Sequence, residues 1–159
     1  AAGAQGVQGV PGTDGSNGTN GAAGAPGPTG PTGPFPGTLP AGATITGAFG
    51  LRTTVVIAGD LQVTSASFGF ALGSAPTVTY VTGTPTAACA GSAVNPTADS
   101  GNLCIYEAAA SNVTGTPCAF NTSAAAVSCG SAGRHGFGLQ VDPAVTGAVS
   151  VWGTWAVTG

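Results

Sequence analysis

The chain has no lysine and no methionine, only two arginines, Arg52 and Arg134, and a single histidine, His135. Charged residues make up 4% of it, and the five acids Asp14, Asp60, Asp99, Glu107 and Asp142 leave a formal net charge of −3. Nucleic acid is thereby excluded as a partner, because no basic patch exists to neutralise phosphates. An anionic membrane surface is excluded for the same reason. No apolar run approaches the length that spans a bilayer. The residues that fill helices, Leu, Lys, Glu and Arg, are scarce, which leaves little material for an α fold. His135 sits in the turn-like stretch Gly133-Arg134-His135-Gly136 with no serine or cysteine elbow before it, so it reads as a surface residue rather than a general base. No enzymatic activity and no cofactor is expected.

Glycine is what the chain has in excess, and at the N-terminus it is periodic. Gly3, Gly6, Gly9, Gly12, Gly15, Gly18, Gly21, Gly24, Gly27, Gly30 and Gly33 occupy every third position. Only glycine fits where three polyproline-like strands crowd around one axis, so a strict Gly-X-Y register over residues 1–35 predicts a collagen triple-helix stalk and therefore two further copies of the chain. A low-complexity linker would not hold a strict period. Pro26, Pro28, Pro31 and Pro34 pre-set φ near the polyproline value at the C-terminal end, whereas the earlier triplets have only Pro11. Asp14 has no basic residue in the stalk to pair with. The N-terminal half is thus expected to be the looser one, and the head to nucleate winding. Fully wound, the stalk would be about 100 Å long at the polyproline rise. Because Ala1-Ala2-Gly3 already lies in register, the start of the chain reads as a point within a longer stalk.

The register breaks at Pro36, and residues 36–42 read as a hinge. From 43 to 159 the composition becomes Thr, Val, Ala, Ser, Gly and aromatics, which is β composition in a stretch long enough for one core. Period-two runs support it. Ile45, Phe49 and Leu51 share a face, as do Phe68, Phe70 and Leu72, Val78 and Tyr80, and Phe137, Leu139 and Val141. Such runs separated by Gly and Pro clusters predict an antiparallel sandwich or barrel. In the last run Val149, Val151, Trp155 and Val157 fill one face and Trp152 stands on the other with Thr154 and Ala156. A large aromatic on each face implies that both are buried, the second by packing on a partner chain, which makes Trp152, Thr154 and Ala156 the expected trimer interface.

Cys89, Cys104, Cys118 and Cys129 allow three pairings. Zinc is the rival use, but no C-x-x-C is present and the only histidine is His135. Disulfides in an oxidising compartment fit the even count, and loop economy prefers Cys89 with Cys104 and Cys118 with Cys129. Each would be worth roughly 3 kcal/mol in the chain-entropy picture. Asp60, Asp99, Glu107 and Asp142 are dispersed and read as turn residues, with a calcium site as the alternative. Asn17, Asn112 and Asn121 begin sequons for N-glycosylation.

A Gly-X-Y stalk followed by a β domain ending in Gly153-Thr154-Trp155-Ala156-Val157 resembles the collagen-like surface proteins of bacteria. The head is similar in length and strand pattern to jelly rolls of the complement C1q and tumour-necrosis-factor type, whose C-terminal strand lies near the trimer axis; it departs from many of them in its four cysteines. The resemblance implies a jelly-roll-like head, trimerisation, and display outside the cell or at its surface. Two roles follow as expectations. In one, the chain is a subunit of a structural surface fibre or filament, its head registering three chains, with further trimers as possible partners. In the other, the head is a module binding a glycan or protein, presented three at a time for avidity.

Overall fold

The computed structural model describes residues 2–27 and 37–159, and the chain divides into two units, Ala1–Pro31 and Thr32–Gly159. Gly30, Gly33, the prolines at 28, 31 and 34 and the register break at Pro36 lie outside the described residues. Residues 2–27 carry neither helix nor strand, and all of them are exposed.

The second unit is all β. Its strands are β1 (Thr44–Val55), β2 (Gln62–Ser67), β3 (Thr77–Val81), β4 (Asn102–Ser111), β5 (Cys118–Phe120), β6 (Gly136–Val141) and β7 (Gly147–Thr158). They form two sheets, ordered β1-β7-β4-β3 and β2-β6-β5. Alternation explains the longest pair. Along β1 the odd positions turn inward and the even ones are exposed. β7 pairs with it antiparallel over the full length, from Thr44 opposite Thr158 to Val55 opposite Gly147. Inward residues of both sheets meet in one core: Phe49, Leu103, Ile105, Val149, Val151, Trp155 and Val157 from the first, Ala119, Phe137, Leu139 and Val141 from the second. Two apolar faces closed on each other in this way make a sandwich. The rings of Phe68, Phe137 and Trp155 form its aromatic centre, with centroids 5.4 Å apart for Phe68–Trp155 and 6.3 Å for Phe137–Trp155.

Three sequence expectations are corrected. The sandwich is not wholly antiparallel, because β3 and β4 run parallel, Thr77 opposite Asn102 to Val81 opposite Tyr106. The chain leaves β3 in a long excursion over residues 82–101 and returns to the end from which β3 started, which only a crossover of that length permits. The run Phe68–Leu72 is not a strand. β2 ends at Ser67 and Gly69 takes a positive φ of 76°, so Phe68 and Leu72 enter the core from a turn whose N–H groups are held by His135 O at 2.9 Å and Arg134 O at 2.8 Å. Finally, residues 37–42, expected as a hinge, are fastened to the head. Leu39 is buried in the core and its N–H donates to Ala71 O at 2.8 Å, while Gly42 N–H donates to Gly159 O at 2.8 Å.

Candidate functional site

The outer face of the four-stranded sheet is divided into a covered and an open half. On β4, Cys104 and Tyr106 point away from the main core and gather with Val81 and Cys89 in a second cluster, flanked by Ala93 and Ala98. The 82–101 excursion lies over them. The Cys89–Cys104 disulfide staples it to β4. Hydroxyl groups do the rest: Tyr106 Oη donates to Thr97 O at 2.6 Å and accepts from Gly91 N–H at 3.0 Å, Thr154 Oγ1 donates to Ala93 O at 2.9 Å, and Thr158 Oγ1 donates to Ala98 O at 2.7 Å. Small side chains are needed where a second layer of backbone comes this close, and Ala156 is one of them.

The expected trio on β7 is therefore split. Ala156 is fully buried beneath its own chain, so it offers nothing to a neighbour and is withdrawn from the trimer interface. Thr154 is half-buried with its hydroxyl committed to Ala93. Trp152 alone stands in the open half, 49% exposed, while Trp155 on the opposite face is 4% exposed. The inference that only a partner chain could cover the second face fails because the excursion already covers half of it. No local pattern marked that cover; the available signal was the run of small and hydroxyl residues Thr154, Ala156 and Thr158 beside Cys104.

In register, Trp152 lies between Gly50 on β1 and Ala109 on β4, just past a bulge between Glu107 and Ala109. Ala48 and Arg52 continue the exposed face of β1 on either side of Gly50. A separate exposed apolar group, Val56, Ile57, Leu61 and Val145, stands at the end of the sandwich where the β1–β2 connection meets the turn before β7, the two held by Gly59 N–H to Pro143 O at 3.1 Å.

The remaining candidates have structural roles. Cys118 and Cys129 are bonded to each other, so both pairings are sequential. Glu107 accepts a hydrogen bond from the Tyr80 phenol at 2.9 Å, and burial first, with that bond second, raises the Tyr80 pKa well above its usual value. Among the described residues no group of three His, Cys, Asp or Glu side chains, Asp60, Asp99 and Asp142 included, is placed to hold a metal. His135 is exposed, and its carbonyl holds Phe68 N–H and the Ser67 hydroxyl. Asn112, a sequon residue, adopts φ 57°. Its amide is consumed within the fold, with Nδ2 donating to Val145 O at 2.8 Å and Ala148 O at 3.2 Å and Oδ1 accepting from Val145 N–H at 2.8 Å. No protein-family model, curated protein or solved structure matches this chain.

Proposed function

We propose that the protein is an extracellular, homotrimeric, collagen-like structural protein: three stalks wind into a triple helix, and the heads register and nucleate them. One observation carries the reading. At each of the nine glycines from Gly3 to Gly27 a Cβ would meet nothing within 4 Å among the described residues of the single chain. None of them has a positive φ either. Glycine is thus demanded neither by backbone conformation nor by the chain's own packing, yet the sequence places it at every third position without exception. Crowding at a shared axis supplies the missing reason. Two disulfides in a head with no free cysteine support an oxidising, extracellular setting. A sandwich with its own core supports the registering role, since a stalk whose earlier triplets have only Pro11 and whose Asp14 has no basic residue to pair with pays a large ordering entropy that a pre-folded head reduces by bringing the chains together.

Sedimentation of the full chain, read with circular dichroism, tests this. The expected result is a trimer whose polyproline-type signal melts cooperatively. A monomer at micromolar concentration, or a signal that declines without a transition, refutes it.

A further inference from the structure

Glycines inside the strands of the head are mostly explained by what lies on them. Gly47 is paired with Trp155 and a Cβ there would run into the indole; Gly138 is paired with Phe120 and lies under its ring; Gly153 is pressed between Tyr106 O and the Phe49 ring. In all three cases an aromatic on the paired residue covers the bare backbone. Gly50 breaks the pattern. It too is paired with an aromatic, Trp152, but among the described residues the only atom within 4 Å of its would-be Cβ is Trp152 Cβ, at an ordinary 3.8 Å. The indole ring does not lie over it. Gly50 also has no positive φ. A glycine in a strand interior weakens the strand, and it is found where a ligand or another backbone comes close.

Resting on the trimeric reading above, we infer that Gly50 and Trp152 form the head-to-head contact between copies of this chain, Trp152 as the anchor and Gly50 as the point of close backbone approach. The occupant is a second copy for three reasons. The stalk requires two more chains beside each head. The open strip of Ala48, Gly50, Trp152 and Ala109 is itself uncharged, with Arg52 continuing it along β1, so identical chains meet at Trp152 through apolar side chains and bare backbone. And the adjoining half of the same face is already closed by small residues under backbone from the 82–101 excursion, so a neighbour seated on the strip would continue a packed layer. Bare backbone at Gly50 and bare backbone in the stalk then answer the same demand.

Hydroxyl-radical footprinting of the intact full-length protein, with Trp155 as internal standard, tests this directly. Exposures of 49% for Trp152 and 4% for Trp155 predict roughly tenfold faster oxidation of Trp152 if the strip is open; a contact between copies brings the two rates together. Gly50→Thr supplies the second arm. A Cβ there makes no more than an ordinary contact in the single chain and threonine suits a strand, so the head should unfold at the same temperature or higher, while the triple-helix signal after melting recovers at least tenfold more slowly. Ile57→Ser, at the other apolar group, should leave recovery unchanged. A sedimenting trimer in which Trp152 still oxidises tenfold faster, or in which Gly50→Thr recovers normally, overturns this contact and leaves the trimeric reading standing. Slow recovery confined to Ile57→Ser moves the contact to the end of the sandwich and also overturns it. A monomer overturns both.

Discussion

Replacing Trp155 by alanine should cost about 4 kcal/mol, because two opposing local effects cancel and leave the middle of the range for a buried tryptophan. Removing a buried tryptophan ordinarily costs about 3 to 5 kcal/mol through lost transfer energy and a residual cavity. Trp155 also packs at a tilt against Phe68 and edge-on to Phe137, and aromatic pairs of this kind add roughly 0.5 to 1.5 kcal/mol each beyond burial. Against this, its indole Nε1 is buried without a hydrogen-bond partner among the described residues, a penalty of about 1 to 3 kcal/mol that disappears with the side chain. The balance predicts a head transition lowered by about 16 °C, at roughly 4 °C per kcal/mol for a domain of this size. Thermal unfolding of the full chain, followed through the remaining Trp152 fluorescence and near-ultraviolet dichroism, reads it. Gly47 makes the prediction sharper. A Cβ there would sit 2.6 Å from Trp155 Cε2, so Gly47→Ala alone should destabilise by about 1 to 3 kcal/mol through overpacking. In the Trp155→Ala background the same change has space to enter and should be neutral or stabilising. If the two effects add within about 0.5 kcal/mol, the indole does not rest on Gly47 and the reasoning fails.

The two disulfides should differ in reactivity. Cys89 and Cys104 are buried, whereas Cys129 is exposed and Cys118 half-buried, so mild reductant followed by alkylation and mass spectrometry should label Cys118 and Cys129 first; early labelling of Cys89 would refute the cover over the outer face. Tyr80 has its folded pKa raised, by burial and then by Glu107, so its contribution is complete below the unfolded tyrosine value of about 10 and is lost as pH rises above it. Folded protein and its Tyr80→Phe variant should accordingly give the same phenolate signal just above that pH in an alkaline absorbance titration, and the substitution should remove the corresponding part of the alkaline loss of stability. Asn112→Ala should cost about 2 kcal/mol, from lost hydrogen bonds and a left-handed backbone that alanine tolerates poorly; denaturant unfolding measures it, and mass spectrometry of secreted protein should find Asn112 free of glycan.

The sequence made legible what depends on neighbours along the chain. β1, β6 and β7 follow from alternation because one face of each is buried and the other is not, or is less so, and period two survives in the residues. Phe68, Phe70 and Leu72 show how that signal misleads: a turn at Gly69 delivers Phe68 and Leu72 to the core at the same even spacing a strand would have used. What stayed hidden depends on where a long connection goes. Nothing local to Val81 or Asn102 says that β3 and β4 run parallel, and nothing local to Ala156 says that it is covered. Both follow from the path of residues 82–101, held by a disulfide and by hydroxyls of Tyr106, Thr154 and Thr158 bonded to carbonyls far away in sequence. Glycine is ambiguous in the same way. In the sequence Gly47, Gly50, Gly138 and Gly153 are indistinguishable strand glycines, and the fold accounts for three of them by a ring or a carbonyl of the same chain. The one left over, Gly50, joins the stalk glycines as a residue that the single chain does not explain, and such residues are where another copy has the most reason to be.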